Sequence, residues 1–236
     1  MSELSIQDYA QLSDEECEKR ILAAKEKLGD RLVILGHHYQ REEVIGFADI
    51  TGDSLKLAQE AANTTAPNII FCGVHFMAET ADILTSDSQQ VFLPDPAAGC
   101  SMADMANDEQ VSRCWQELSE VINPDECVTP VTYINSSAAL KSFCGEHGGI
   151  VCTSSNAIQI LEWSFKQREK VLFFPDQHLG RNSASKLGVA LDEMVVWDPG
   201  LHLGGLTAEA IKNATVILWH GNCSVNQMCQ PQHIDQ

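Results

Sequence analysis

The first part of the chain alternates between amphipathic segments and short apolar runs. Residues 13–29 carry an apolar helical stripe, with the capping-box pair Ser13 and Glu16 at its start and Gly29 at its end. After this helix we predict a strand at 31–35, a helix at 54–64, a strand at 68–73, a helix at 77–84 and a strand at 91–95. Strands and helices that alternate across short loops predict a parallel sheet covered by helices.

The same alternation starts again twice. The second pass has helices at 108–122, 137–145 and 157–165, strands at 128–135, 149–154 and 170–176, and an extended piece at 194–198. A third pass opens with a helix at 207–214 and a strand at 215–221. Repeats of this length predict similar three-layer α/β units packed around a shared centre. We therefore expect units at 1–98 and 99–205, and the start of a third, incomplete unit at 206–236.

The first strand of each pass ends in polar residues. The sequences at these ends are GHHYQ at 36–40, YINSS at 133–137 and WHGNCS at 219–224. The carboxyl ends of parallel strands meet at one edge of a sheet, where open α/β folds bind their ligands. A single serine or asparagine after a strand is usually a helix cap. The prediction of a binding edge therefore depends on the recurrence of polar residues after the first strand of every pass.

Two of the predicted helix starts suit an anion. Ser54 and Ser154 stand there, and a helix N-terminus offers unpaired N–H groups and the positive end of its dipole. A small phosphorylated metabolite can bind in this way without lysine or arginine. Ordinary capping by the two serines is the alternative at this point.

The charge balance argues against a nucleic-acid ligand. The chain has 33 acidic and 15 basic residues, a formal net charge of −18, and the basic residues do not cluster. No apolar run approaches the roughly 20 residues that span a bilayer. The acidic N-terminal stretch lacks a hydrophobic signal core, so we expect a cytoplasmic protein without a membrane partner.

Nine cysteines are present, and their spacing includes no C-x-x-C pair. The odd number disfavours a disulfide framework, and most of these thiols are expected to pack as small hydrophobes. Cys100 and Cys223 differ because each lies in a glycine-containing turn after a predicted strand. A thiolate in such a turn can act as a nucleophile or can bind a soft metal or an iron–sulfur cluster.

Eight ordered blocks of the sequence resemble the quinolinate synthase family. They run from about residue 30 to the end of the chain, in the family's order and spacing. The blocks are ILGHHYQREEV, DITGDSLKLA, IIFCGVHFMAETADIL, LPDPAAGCSMADM, VTYINSSAALK, CTSSNA, FFPDQHLGRN and LWHGNCSV.

The resemblance implies a fold, a reaction and a cofactor. The family has three similar α/β units around a pseudo-threefold axis. It condenses iminoaspartate with dihydroxyacetone phosphate to quinolinate in NAD biosynthesis, which implies a functional link to L-aspartate oxidase. It carries a 4Fe–4S cluster on three cysteines, and the iron without a protein ligand serves as a Lewis acid.

The resemblance also assigns roles to individual residues. Cys100 and Cys223 match two of the cluster ligands, and the third cysteine is expected beyond residue 236. His37 and Tyr39 match the catalytic, substrate-contacting pair, with Tyr39 as the acid–base group. The remaining substrate-binding matches are phosphate-contacting Ser54 and Ser154, and Tyr133 and Asn135 beside the cluster.

The sequence departs from the family pattern near its end. A His-Pro-Glu block and a Gly-Ser-Thr block are absent, and Asn226 stands where the family usually has histidine. Cys229 and Cys152 are the alternatives for a third ligand. We interpret the chain as a fragment or a degenerate member, and we expect it to lack synthase activity alone. Two other hypotheses are a non-catalytic module that binds a phosphorylated metabolite and a hydrolase that uses Cys100 with a histidine.

Overall fold

The computed structural model describes Tyr9 and residues 11–228. The chain divides into two compact units, Met1–Ala98 and Gly99–Gln236. Each unit has one parallel β-sheet with helices packed against it, which confirms the predicted α/β class. Within the described part of the chain, no helix is both long and apolar enough to cross a membrane.

The first unit has four strands and four α-helices among its described residues. The strands are β1 (Leu32–His37), β2 (Ile50–Gly52), β3 (Asn68–Cys72) and β4 (Gln90–Phe92), and the helices are α1 (Asp14–Leu28), α2 (Glu42–Ile45), α3 (Ser54–Asn63) and α4 (His75–Leu84). The strand order is β2-β1-β3-β4, and every pairing is parallel. The carboxyl ends of these strands therefore lie at one edge.

Local signals in the sequence account for this unit. Ser13 caps α1 by accepting a hydrogen bond from the Glu16 N–H at 3.3 Å, as the capping pattern predicts. The apolar run of β1 lies inside the sheet, where Leu35 is fully buried together with Phe71 of β3 and Leu57 of α3. Because the apolar residues of this central strand are buried, the polar residues that follow it lie beyond its carboxyl end, at the edge of the sheet.

The second unit has a five-stranded sheet. Its strands are β5 (Val128–Tyr133), β6 (Ile150–Cys152), β7 (Lys170–Phe174), β8 (Met194–Trp197) and β9 (Val216–Trp219). Its helices are α5 (Asp108–Leu118), α6 (Pro124–Cys127), α7 (Ala138–Glu146), α8 (Ala157–Gln167), α9 (Gln177–Lys186), α10 (Ala208–Asn213) and α11 (Ser224–Met228). The order β6-β5-β7-β9-β8 is parallel throughout.

Both faces of this sheet are buried. Successive residues of β7 alternate between them: Leu172 and Phe174 join one apolar cluster, and Val171 and Phe173 join the other. At the start of the strand, Lys170 is also buried, and its ammonium group donates 2.8 Å hydrogen bonds to the carbonyls of Lys212 and Ala214 at the end of α10. The unit is therefore a three-layer α/β arrangement.

The last strand corrects one part of the sequence analysis. We assigned residues 206–236 to a third unit, but β9 lies between β7 and β8 of the second sheet. All four residues of β9 are buried, as an inner strand covered on both faces requires. The polar residues after the strand mark its end, but they carry no information about which sheet it joins.

Several elements were not predicted: the short helices α2, α6 and α11, the strand β2 and the helix α9. β2 is a three-residue, half-exposed edge strand inside a sequence that is typical of a turn. α9 contains Gly180 and several polar residues, which lower helix propensity. Tertiary packing favours this helix, because a Cβ at Gly180 would lie 2.7 Å from side-chain atoms of both Leu218 and Phe173. Only glycine lets α9 approach the sheet this closely.

Candidate functional site

The polar edge of the first sheet brings together the residues expected there. His37 is the last residue of β1 and pairs with Gly52 of β2. Gly52 in turn lies two residues before Ser54 in the sequence. The imidazole rings of His37 and His38 have centroids 4.3 Å apart, and the ring of Tyr39 lies 4.0 Å from that of His37. Tyr39 is half exposed, so this aromatic group borders solvent.

His37 is a buried, neutral imidazole. It is 6% exposed, and burial, assisted by the charge of His38, lowers its pKa from 6.5 to about 4. The N–H of Tyr39 donates to Nδ1 of His37 at 3.4 Å. Because Nδ1 accepts this bond, the proton of the neutral ring resides on Nε2. His37 therefore offers a hydrogen-bond donor at neutral pH without carrying a charge.

Ser54 opens α3, as expected from the sequence. Asp53 is the N-cap of this helix and accepts a 2.9 Å hydrogen bond from the N–H of Lys56. Ser54 is thus the first helical residue, at the positive end of a ten-residue helix. The capping role belongs to Asp53, which leaves the Ser54 hydroxyl outside the cap.

Ser154 does not begin a helix, contrary to the sequence expectation. α8 starts at Ala157 with Asn156 at its N-cap, and Ser154 lies in the preceding turn. It lies close enough to Tyr133, the last residue of β5, to lower the pKa of that phenol in part. The pairing of β5 with β6 explains this contact, because Tyr133 lies opposite Cys152 in the register.

Tyr133 stays protonated well above neutral pH. Burial raises its pKa, and the acidic groups of Cys152, Asp176 and Cys100 add to the rise, whereas the nearby Ser154 acts in the opposite direction. A protonated, half-buried phenol at a strand end is a directed O–H donor.

The two singled-out cysteines lie in loops that touch each other. Both thiols are half-buried. The hydroxyls of the following residues, Ser101 and Ser224, are hydrogen-bonded with their oxygens 2.8 Å apart. The side-chain amide of Asn135 donates to Sγ of Cys100 at 3.7 Å. Residues far apart in the sequence thus meet at the polar edge of the second sheet.

Met105 connects the Cys100 loop to the end of β9 through two hydrogen bonds. Its carbonyl accepts a 2.8 Å hydrogen bond from the Trp219 indole, and its sulfur accepts one from the Asn222 N–H at 3.0 Å. A Cβ at Gly221 would overlap the carbonyl oxygen of Pro175 and lie 3.3 Å from Cβ of Met105. The absence of a side chain at Gly221 therefore allows the two loops to pack closely.

The cysteines of the sheet and the helices have a different environment. Cys114 and Cys144 are buried, and burial raises the pKa of each thiol far above its ordinary value. Cys152, one alternative ligand, is fully buried, and burial raises the pKa of its thiol to about 12. Cys229, the other alternative, lies outside the described residues. Among the described residues, no group of three or more His, Cys, Asp or Glu side chains is arranged to hold a metal ion.

Comparison with known proteins decides the family. The sequence model of the family described as quinolinate synthetase A protein matches residues 19–236. This chain belongs to the quinolinate synthetase A family. The match covers nearly all of the chain, including both sheets and both cysteine loops.

Curated relatives agree with this assignment. The quinolinate synthase of Herpetosiphon aurantiacus is 58% identical over 230 residues, which are 97% of this chain and 61% of the relative. The quinolinate synthase of Acidobacterium capsulatum is 56% identical, with 98% and 62% covered, and that of Streptomyces coelicolor is 59% identical, with 93% and 56% covered. The chain thus spans about 60% of the length of the quinolinate synthases that it matches.

The residues that join the two cysteine loops were not predicted from the sequence. Ser101, Ser224 and Met105 provide these contacts. One signal was present, because the dipeptide Cys-Ser occurs at 100–101 and again at 223–224. Nothing in the sequence pattern marks Met105, whose backbone carbonyl and sulfur both act as acceptors.

Proposed function

We propose that this chain carries the first part of a quinolinate synthase, the enzyme that condenses iminoaspartate with dihydroxyacetone phosphate to quinolinate in NAD biosynthesis. The observation that supports it most is the meeting of the Cys100 and Cys223 loops at a sheet edge that also bears Tyr133 and Asn135. The neutral hydrogen-bond donors of this edge can bind the carboxylates of iminoaspartate and the phosphate of dihydroxyacetone phosphate.

The donor set suits an iron–sulfur cluster. Cys100 and Cys223 are half-buried thiols in joined loops, and sulfur ligands select such clusters. The amide of Asn135 supplies an N–H to the Cys100 sulfur, the kind of outer contact that orients a thiolate ligand. We assign both cysteines as ligands of a 4Fe–4S cluster. When bound, the cluster supplies a Lewis acid at an iron that lacks a protein ligand.

The residues of the chain itself have binding and proton-transfer roles in this proposal. His37 stays neutral and donates from Nε2 to a substrate oxygen, and Tyr39 serves as the acid–base group beside it. Tyr133, whose pKa is raised by burial, donates its phenolic O–H to substrate. Ser54, at the start of α3, contacts the phosphate.

The cellular setting follows from the same proposal. Eight described cysteines are all free, which fits a reducing compartment such as the cytoplasm. Iminoaspartate is chemically short-lived, so an enzyme that oxidises aspartate must supply it. L-aspartate oxidase is the partner that this reaction implies.

The activity is tested best on an extended protein, in which residues 1–236 are followed by the C-terminal remainder of the Herpetosiphon aurantiacus relative. After anaerobic reconstitution with iron and sulfide, this protein is expected to form quinolinate from the two substrates. Tyr39→Phe should lower the turnover strongly, whereas Tyr9→Phe should not. An extended protein that folds and binds iron but forms no quinolinate would contradict the proposal.

The 236-residue chain alone should behave differently. Two thiolates leave half of the cluster corners without protein ligands, so this chain is expected to retain iron poorly and to form no quinolinate. Iron and sulfide analysis after desalting measures the retention. Stoichiometric iron with turnover would show that a third ligand, such as Cys229, lies within the chain.

A further inference from the structure

The serine pair, Ser101 and Ser224, links the two cysteine loops directly. Each serine immediately follows a cysteine, and the two hydroxyl oxygens are 2.8 Å apart although the residues are 123 positions apart in sequence. One hydroxyl donates and the other accepts, so both side chains must keep fixed rotamers to retain the bond. The bond therefore constrains the backbone next to both thiols.

Stability of the fold does not require this contact. The loops are already fastened by the indole of Trp219 and the N–H of Asn222, which both donate to Met105. The serine pair is exposed, where water competes for both hydroxyls, and the net contribution of such a bond is at most about 1 kcal/mol. Its effect is local and concerns the position of the adjacent cysteines.

We propose that Ser101 and Ser224 are positioning residues that set the separation of Cys100 and Cys223 before any cluster is bound. The role of the serine pair in cluster binding rests on the proposed function, whereas its effect on the separation of the two thiols does not. The Asn135 amide orients the Cys100 sulfur, and the serine pair fixes the second loop relative to the first. A preformed pair of thiols lowers the ordering cost of ligand binding.

The test uses the metal-free chain and a short thiol cross-linker, dibromobimane. The cross-linked Cys100–Cys223 peptide is identified by mass spectrometry, and its rate of formation is compared among variants. Ser224→Ala removes one hydroxyl and should lower the rate several-fold. Ser224→Thr keeps a hydroxyl and should restore most of it. The matched control is Ser88→Ala, which removes an equally exposed Ser86–Ser88 hydroxyl pair, 2.9 Å apart, in the first unit.

The expected pattern is a loss that is specific to Ser224→Ala, with the urea midpoint of all variants unchanged. An unchanged rate in Ser224→Ala, or an equal loss in Ser224→Thr, would overturn the proposal. The assay contains no iron, so a failure of the extended protein to bind a cluster would contradict the proposed function and leave this inference intact.

Discussion

The neutral state of His37 predicts a measurable dependence of stability on pH. Its pKa is about 4 in the folded chain and 6.5 when the residue is exposed. Between these values the unfolded chain binds a proton that the folded chain does not. Stability is therefore fully present above pH 6.5 and is lost as the pH falls towards 4.

The magnitude follows from the two pKa values. Lowering the pH from 7.5 to 5.5 should cost between about 1 and 2 kcal/mol through His37, and the full shift corresponds to about 3 kcal/mol. His37→Asn removes the titrating group while its side-chain oxygen can replace Nδ1 as the acceptor of the Tyr39 N–H. The variant should therefore lose less stability over this pH range than the wild-type chain.

Urea unfolding at the two pH values measures this difference. All four tryptophans, Trp115, Trp163, Trp197 and Trp219, lie in the second unit. Far-UV circular dichroism therefore reports on both units, and tryptophan fluorescence reports on the second alone. The control is His75→Asn, which alters an exposed histidine of the first unit and should keep the wild-type loss. An equal loss in His37→Asn and wild type would refute the reasoning.

Three further predictions concern the second unit. Gly180→Ala should destabilise this unit by roughly 1–3 kcal/mol in urea unfolding monitored by fluorescence, because the added Cβ would clash with side chains of the sheet. Ser185→Ala, on the exposed side of the same helix, should leave the stability unchanged. Lys170→Met leaves the carbonyl of Lys212 and the buried carbonyl of Ala214 without this donor, and it should cost roughly 1–3 kcal/mol, against less than about 0.5 for the exposed Lys166→Met. In the reconstituted extended protein, Asn135→Ala should lower the reduction potential of the cluster in spectroelectrochemical titration, because an N–H···S bond is lost; an unchanged potential would contradict this.

Local patterns were sufficient for most elements of the fold. The capped helix α1 and the apolar strands β1, β3, β5 and β7 follow from residues that are close in sequence. The parallel class followed from their alternation with helices. The helix α9 could not be predicted in this way, because its stability depends on the close packing of Gly180 against the sheet. The position of β9 depends on strand pairing rather than on its own composition.

The candidate site divides in the same way. Polar residues after strands identified His37, Tyr39, Tyr133 and Asn135 as edge residues, since strand direction alone decides where they lie. The assignment of Ser154 to a helix start was wrong, because Asn156 takes the capping position. Contacts between distant loops, such as those of the serine pair, require three-dimensional information.

Iron content after anaerobic reconstitution tests the cluster assignment most directly. The measurement compares the extended protein with its Cys100→Ser, Cys223→Ser and Cys17→Ser variants, the last being a half-buried cysteine of α1. We predict close to four irons per chain in the wild type and in Cys17→Ser, and little retained iron in the other two variants. Full iron retention in Cys100→Ser or Cys223→Ser would contradict the assignment of these two residues as the ligands.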